Sequence, residues 1–461
     1  MTFAPDAHLV PGVTERRARP LGRLAFAFGP RALLFLLAGF VWMIPVFVDG
    51  RFVRAMLAWD LVVFAVWLVD VRLLPKPADL LVRRTWRAPA ALSVESIVEL
   101  AVINESRRTV RVRLLDAIPS QLRGGPPDVA LTVEPSGEAR SEYAVRPMVR
   151  GQTPIGAAFL RYQTVLGFAE RWAVADVSQT IVTYPNLVEA RRHSIYLIRS
   201  RQIALEKRSS RIRGAGTAFE SLREYRDGDE LRNVCWTASA RRGKPVTRVF
   251  EIERSQSIWM LIDSGRLMRA RVGGLSKLDY AVNAALALAQ VALGSGDQVG
   301  LLAYGRKIEQ RAPAARGAAH LRRIVNQLAA VHEDEGEADH VLAAGRLLAD
   351  QKRRGLVVWM TDLAETSRTP EVIRAAAHLM TRHVVLFVVI GDLELQALAR
   401  EEPDDVESMF ENAAAQEVVQ RREVMLADLR QRGALALETQ VAGLSLAVVN
   451  GYLEVKQRNR I

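Results

Sequence analysis

Two long apolar runs dominate the N-terminal part of the chain. The first, residues 32–48, contains no charged side chain, and the second covers residues 52–74. As a helix, the first run measures about 26 Å, which just crosses a bilayer core of about 30 Å with some local thinning. Since only a short turn around Asp49 separates the runs, we predict a two-helix transmembrane hairpin over residues 32–74.

Basic residues flank this hairpin more densely than they occupy its turn. By the positive-inside rule, this predicts a two-pass protein of the cell (inner) membrane, with a cytoplasmic N-terminal tail at residues 1–31 and cytoplasmic soluble domains. The alternative is a helical hairpin buried in a soluble domain. Asp60 is either a functional intramembrane carboxylate or a residue that is solvated near the helix end or paired with Arg54.

Short segments in which polar and apolar residues alternate occupy residues 89–186. Period-two alternation in such short pieces, punctuated by glycine and proline, is typical of antiparallel sheet and predicts a β-sandwich-like domain. The predicted strands are 96–104, 109–115, 129–133, 139–145, 155–162 and 171–184. We expect this domain to be a spacer or a binding module.

From residue 257 to residue 461 the pattern changes to buried strands that alternate with amphipathic helices. Ser276 is placed to cap a helix that ends at Gly294. Predicted strands are 257–262, 299–304, 356–360 and 384–390, and further helices are 321–331, 338–348 and 411–430. This order predicts an α/β domain with a doubly wound parallel sheet, whose binding crevice lies at the carboxyl ends of the strands.

Two carboxylates follow strands of this predicted sheet, Asp263 and Asp362. The arrangement is similar to the von Willebrand factor A domain, in which an Asp-x-Ser-x-Ser loop and a second aspartate hold Mg²⁺. Here Gly265 and Leu267 occupy the two hydroxyl positions. Mg²⁺ requires near-octahedral oxygen coordination, so we favour a structural Asp263 paired with an arginine over a degenerate metal site at Asp263 and Asp362. No other cofactor is expected.

Charged residues of alternating sign surround two aromatic side chains between residues 214 and 241. The ordered set resembles the signature of the family catalogued as domain of unknown function 58, and the loose resemblance extends over most of the chain. Its members here are Gly214, Gly216, Phe219, Leu222, Arg223, Glu224, Tyr225, Gly228, Asp229, Arg232, Trp236, Ser239, Ala240 and Arg241. Proteins resembling this family are commonly associated with a MoxR-type AAA+ ATPase, so the resemblance implies such a partner.

Within residues 187–256, a basic connector leads into this signature. We predict that the signature is a partner surface, and that Arg223, Asp229, Arg232 and Arg241 pack against the α/β domain with Trp236 buried beside them. Breaking one member of a partly buried charge network is costly because its partner is left uncompensated.

The net charge of +12 is concentrated in residues 1–90 and 191–256. Single-stranded nucleic acid would require aromatic side chains among the basic ones, and residues 191–213 contain only Tyr196. A solvated or membrane-facing basic surface is therefore favoured over nucleic-acid binding. The acidic run 332–340 resembles a chelating cluster, but negative charge at a helix start is also explained by the helix dipole.

These patterns favour a membrane-tethered scaffold or adaptor without enzymatic activity. It would bind a protein partner through the von Willebrand A-like domain. Other membrane proteins are possible partners. Because the sequence contains no phosphate-binding loop, energy would come from another chain. The alternative is a hydrolase or transferase that uses the charged signature with Asp263 and Asp362.

Overall fold

The computed structural model describes residues 9–22, 25–47, 49–186, 218–226, 234–251, 256–362, 369–391 and 393–458. The chain forms two compact units, residues 1–186 and 187–461. Each unit has its own sheets and its own core.

Antiparallel strands and an apolar helical segment form the N-terminal unit. The strands are β1 Thr14–Arg17, β2 Arg19–Pro20, β3 Phe26–Phe28, β4 Leu80–Trp86, β5 Ser96–Asn104, β6 Val110–Asp116, β7 Asp128–Val133, β8 Glu138–Val145, β9 Gly151–Ile155, β10 Ala158–Thr164, β11 Ala169–Ala175 and β12 Gln179–Thr183. Between β3 and β4 lie α1 (Pro30–Gly39), a 3₁₀ helix (Phe40–Phe47) and α2 (Arg51–Leu73).

Two sheets of this unit share one hydrophobic core. One has the order β1-β4-β5-β8, and the other has the order β2-β11-β10-β6-β7, with β3 also paired to β11. Alternate residues of β4 and β6 point into the core, where Val82, Val112 and Leu160 meet. Two antiparallel sheets packed over a common core are the arrangement of a sandwich.

The prediction that residues 1–31 form a tail is wrong for the described part of that segment. β1 pairs with β4, whereas β2 and β3 pair with β11. An ion pair between Glu15 and Arg83 holds β1 to its neighbour. The strands that precede the apolar segment therefore belong to the same folded unit as the strands that follow it.

The apolar segment differs from the predicted pair of helices. One helix, α2, is long and apolar enough to cross a membrane, judged by length and composition over the described residues. The first apolar run instead begins as the ten-residue α1 and continues as a 3₁₀ helix that contains Pro45. Proline removes a backbone donor and does not fit the interior of an α-helix, which explains the change of helix type.

Mixed α/β structure forms the C-terminal unit. Its strands are β13 Ala218–Glu224, β14 Val246–Glu251, β15 Ser257–Asp263, β16 Arg271–Val272, β17 Leu275–Ser276, β18 Gln298–Tyr304, β19 Ile308–Ala315, β20 Leu356–Thr361, β21 Val384–Gly391 and β22 Leu435–Gln440. Its helices are α3 Trp236–Arg242, α4 Lys277–Gly294, α5 Ala318–Ala329, α6 His340–Asp350, α7 Thr369–Met380, α8 Leu393–Leu398, α9 Val406–Gln431 and α10 Leu444–Gln457.

Six of these strands form the central sheet, in the order β19-β18-β15-β20-β21-β22. All neighbours are parallel except the edge strand β19, which runs antiparallel to β18. Side chains of α6, α7 and α9 join one core with one face of the sheet, for example around Trp359 and Phe387. On the other side α4 and α10 pack together. The predicted cap at Ser276 is confirmed, since its hydroxyl accepts a hydrogen bond from the Asp279 amide.

Candidate functional site

Asp263 and Asp362 lie at the carboxyl ends of the neighbouring parallel strands β15 and β20. Only 3% of Asp263 and 5% of Asp362 is exposed. The two carboxylates therefore occupy the predicted edge of the sheet, but both are buried in the protein.

Each oxygen of Asp263 accepts a hydrogen bond. Thr361 donates its hydroxyl to Oδ2 at 2.6 Å, and the Gly265 amide donates to Oδ1 at 2.7 Å. Burial, with a smaller contribution from the nearby Asp362, raises the pKa of Asp263 to about 6, because the hydrogen bonds from Thr361 and Gly265 only partly offset these effects. The predicted pairing of Asp263 with an arginine is wrong, because uncharged donors hold this carboxylate.

Two buried cations hold Asp362 instead. Lys277 places Nζ 2.8 Å from Oδ2, and Arg422 places Nη2 3.0 Å from Oδ1. Arg422 also lies 3.4 Å from Glu438. We call Lys277, Asp362, Arg422 and Glu438 the buried ion cluster. It joins the start of α4, the end of β20, the middle of α9 and β22.

The residues at this edge do not fit Mg²⁺. Both oxygens of Asp362 already face the protein's own cations, and a metal there would meet the positive charges of Lys277 and Arg422. A hydroxyl ligand at position 265 is also blocked, because a Cβ on Gly265 would lie 2.9 Å from the backbone nitrogen of Ala338. Across the described residues, no group of three or more His, Cys, Asp or Glu side chains is placed to hold a metal.

The raised pKa of Asp263 predicts a pH effect on stability. The folded state holds a proton on Asp263 up to about pH 6, whereas the unfolded chain releases it near a pKa of about 3.9. The folded state thus binds more protons between these values, so this group's contribution to stability falls as pH rises from about 4 to about 6, by about 3 kcal/mol at most.

Asp263→Asn should remove this dependence and leave the protein at least as stable at pH 8, because the amide carries no charge. The amide oxygen can accept from Gly265, and Thr361 can turn its hydroxyl toward the Asp362 carbonyl, 3.2 Å away. Melting temperatures of the detergent-solubilised chain at pH 4.5, 6 and 8 check this expectation. A variant whose pH profile matches that of the wild type would show that Asp263 does not titrate in this range.

Above the buried carboxylates, three arginines on neighbouring loops pair with acidic residues. The pairs are Arg266 with Glu337, Arg269 with Glu333 and Arg306 with Asp334. The arginine side chains are the more exposed partners in each pair. We call these six residues the charged rim.

The loops of the charged rim are closely interlocked. A Cβ on Gly305 would lie 2.6 Å from Asp334 Oδ2, and a Cβ on Gly336 would lie 2.3 Å from Arg306 Cδ. Asp334 accepts backbone hydrogen bonds from Gly336 and Arg306, which lower its pKa. The rim is therefore a fixed surface with exposed positive charge.

The acidic run 332–340 is used in this loop rather than in the first turn of a helix. Glu333, Asp334 and Glu337 belong to the charged rim. Asp339 caps α6, because its carboxylate accepts a hydrogen bond from the Leu342 amide. His340 is buried, with Nδ1 2.9 Å from the Tyr304 hydroxyl. The helix-dipole explanation therefore holds for Asp339, and loop packing explains the rest.

The described signature residues have different environments. Ser239 is buried and links α3 to β14, because its hydroxyl accepts from the Val246 amide and donates to the Cys235 carbonyl. Trp236 is 70% exposed, so the prediction that it is buried is wrong. It is the first residue of the short helix α3.

The remaining signature residues divide into surface and undescribed positions. Glu224 pairs loosely with Lys244 at 3.5 Å on the surface, Arg241 is exposed, and Arg223 and Tyr225 are half-buried. Gly228, Asp229 and Arg232 lie outside the described residues. A charge network through Asp229 and Arg232 therefore stays a prediction.

Sequence reasoning missed the cations of the buried ion cluster. Lys277 is the first residue of α4, where a positive charge opposes the helix dipole. That mismatch was an available signal. Arg422 offered no such signal in the sequence, because it lies 60 residues from Asp362 on a helix with many charged residues.

Asp70, near the end of α2, was also missed. It is fully buried, and its carboxylate accepts from the Thr164 hydroxyl and from the amides of Phe168 and Ala169. This contact fixes the apolar helix to the β10–β11 turn. Asp60, by contrast, forms no ion pair with Arg54 in the described part of the chain, and its Oδ1 is buried without a hydrogen-bond partner among the described residues.

Curated relatives with detectable similarity are uncharacterized. A protein of Mycobacterium tuberculosis and one of Mycobacterium bovis are each 27% identical over 183 residues, which cover 39% of this chain and 57% of the relative. The protein YeaD of Bacillus subtilis is 22% identical over 232 residues, which cover 45% of this chain and 54% of YeaD. The chain thus aligns with little more than half the length of these relatives.

Solved structures give weaker likenesses. The conserved hypothetical protein BatB from Bacteroides thetaiotaomicron is 11% identical, with a TM-score of 0.31 over 44% of this chain and all of BatB. Proximal thread matrix protein 1 from the mussel byssus is 14% identical, with a TM-score of 0.29 over 42% of this chain and 46% of that protein.

The family model described as "Protein of unknown function DUF58" matches residues 221–433, so this part of the chain, from β13 to the end of α9, is similar to a family of unknown function.

Proposed function

We propose that this protein is a membrane-tethered adaptor without enzymatic activity, whose von Willebrand A-like α/β domain binds a MoxR-type AAA+ ATPase. The observation that carries the proposal is the carboxyl edge of the sheet. There, the charged rim is exposed, whereas the buried carboxylates of Asp263 and Asp362 are satisfied by hydrogen bonds and ion pairs within the protein. Such an edge presents fixed charge to a partner and keeps its own acidic groups out of solvent.

The apolar segment supports membrane anchoring. α1 and the following 3₁₀ helix together measure roughly 31 Å, and α2 measures roughly 35 Å, against a bilayer core of about 30 Å. Large apolar side chains along both are exposed, including Leu34, Ile44, Leu57 and Leu61. Water would not favour so much exposed apolar surface, whereas lipid would.

The strand pairing supports an even number of crossings. β1–β3 and β4 flank the apolar segment in sequence and belong to sheets of one unit. This pairing favours both ends of the segment on one side of a bilayer, which is the arrangement we propose for a two-pass hairpin. By the positive-inside rule, the basic flanks favour the cytoplasm for that side.

A catalytic alternative draws support from one property, the raised pKa of Asp263. Perturbed carboxyl groups cluster at functional sites, and Asp263 with Asp362 would serve a hydrolase or transferase. The contacts favour a structural role instead, because every oxygen of the two carboxylates already accepts a hydrogen bond or an ion pair within the protein.

The charged rim offers a direct test of partner binding. Arg266→Glu with Arg306→Glu should reduce retention of a hexameric ATPase on the full-length, detergent-solubilised protein by at least tenfold, because two exposed positive charges become negative. The matched control is Arg432→Glu, an exposed arginine that precedes β22 at the opposite edge of the sheet. Equal retention by both variants would remove the rim from the interface.

A further inference from the structure

A concave pocket of about 340 Å³ lies on the outer face of the six-stranded sheet in the N-terminal unit. Side chains of β6, β7, β10 and β11 line it, together with Pro30 at the start of α1. The charged residues of the lining are Arg111, Arg113, Arg161 and Glu170. This volume is within the range of sites that hold a small ligand or a headgroup.

The strand register brings the three arginines close together. Arg113 lies directly opposite Arg161 on the neighbouring strand, and Arg111 is two residues from Arg113 on the same face. Like charges directly opposite each other destabilise a sheet unless something compensates them. Arg113 pairs with Asp128 and Arg161 pairs with Glu170. Arg111 has no carboxylate within 4 Å among the described residues, so one positive charge of the pocket is left for a ligand.

The pocket lies at the base of the apolar segment. Its lining includes Pro30, the first residue of α1. Arg31 donates to the carbonyls of Val165 and Leu166, whose side chains are exposed in the turn after β10. Arg111 lies opposite Gln163, closer to that turn than Arg113, which lies opposite Arg161, so among the three arginines of the pocket it is the nearest in register to the turn. The headgroup layer extends only roughly 5 to 8 Å beyond the bilayer core on each side. A pocket at the base of the segment would lie at the depth of this layer.

We propose that this pocket binds the phosphate headgroup of an anionic phospholipid, with Arg111 as its unneutralised phosphate ligand. Arginine suits this ligand because its planar donors match phosphate oxygens. The exposed Val165 and Leu166 would enter the acyl boundary beside the bound headgroup. This inference rests on the membrane anchoring proposed above and adds a lipid specificity to it.

Native mass spectrometry of the full chain in detergent micelles tests this site. Dioleoylphosphatidylglycerol is titrated against dioleoylphosphatidylcholine and against glycerol 1-phosphate. We expect the wild type to prefer the anionic lipid, and Arg111→Gln to weaken that binding about fivefold, as one basic residue near an anionic surface contributes. Arg111→Lys should restore part of it. The matched control, Arg107→Gln, changes an exposed arginine outside the pocket and should bind like the wild type.

Three outcomes would overturn the proposal. Equal losses in Arg111→Gln and Arg107→Gln would show general surface attraction, and unchanged binding in both would remove the pocket from lipid recognition. Binding of glycerol 1-phosphate as tight as that of the lipid would identify a soluble phosphate ligand. Extraction of the wild type from membranes by alkaline carbonate is a separate readout: release would refute the anchor, whereas retention with no lipid preference would refute only this site.

Discussion

Asp362→Asn is expected to destabilise the C-terminal unit by about 3 to 5 kcal/mol. The substitution removes the negative charge that faces both buried cations, Lys277 and Arg422, while Glu438 stays 3.4 Å from Arg422. An asparagine side chain can accept one hydrogen bond with its oxygen, but its amide would face the second cation. Urea unfolding of the solubilised chain, followed by tryptophan fluorescence, measures the change in the unfolding free energy.

The same substitution at Asp428 provides the control. Asp428 on α9, the helix that also carries Arg422, pairs with Arg432 just after the helix, but Arg432 is exposed and Asp428 is only half-buried. Exposed pairs contribute about 0 to 1 kcal/mol, so Asp428→Asn should change little. If Asp362→Asn were no more harmful than Asp428→Asn, the buried ion cluster would not hold this edge of the sheet together.

Asp70→Ala is expected to destabilise the N-terminal unit by about 3 kcal/mol or more. Three donors lose their acceptor: the Thr164 hydroxyl and the amides of Phe168 and Ala169. An unsatisfied buried donor costs about 1 to 3 kcal/mol, and no water is expected to reach a fully buried carboxylate site. Thermal unfolding of the solubilised chain, or faster proteolysis between α2 and β10, would report the loss.

Asp49→Ala is the matched control, since Asp49 lies just beyond the opposite end of α2. It is about half exposed and accepts only from the Arg51 amide, besides a loose ion pair with the same residue. We expect an effect of about 1 kcal/mol or less, which is typical of a helix cap. Comparable effects at both positions would argue against a specific anchoring contact at Asp70.

The sequence predicts the central strands of the C-terminal unit well because each is a short run of buried apolar residues between helices. The same reasoning locates Asp263, Asp362 and the cap at Ser276. It does not predict β19 or the strands at residues 14–28, because these are short edge segments with charged side chains whose pairing depends on distant partners. β1, for example, is held through Glu15 and Arg83.

The chemistry of the sheet edge was harder to predict for a related reason. Lys277 and Arg422 meet Asp362 from 85 and 60 residues away, so no local spacing reveals that the carboxylate is neutralised. The prediction for Trp236 was wrong because an aromatic residue among charged ones suggested burial. In the short helix α3 this side chain is exposed. The glycine at position 265, where a metal site would have a hydroxyl side chain, is visible in the sequence. Its steric reason, the close approach of the Ala338 backbone, is visible only in the structure.

Asp362→Arg is not a suitable test of partner binding at this edge. Asp362 is buried, and an arginine there would add a third cation to Lys277 and Arg422. Loss of the fold would then be indistinguishable from loss of the interface. The exposed arginines of the charged rim are the appropriate positions for that test.

We propose that the carboxyl edge of the sheet binds an ATPase partner directly, without a bridging metal. The measurement that tests it most directly is co-purification of the tagged full-length chain from carbonate-washed, detergent-solubilised membranes, with and without EDTA. We expect a hexameric AAA+ ATPase in the eluate, in equal amounts under both conditions, because Lys277 and Arg422 occupy the place of a metal beside Asp362. An eluate without an ATPase, or a complex that EDTA dissociates while the ATPase hexamer itself stays intact, would contradict it.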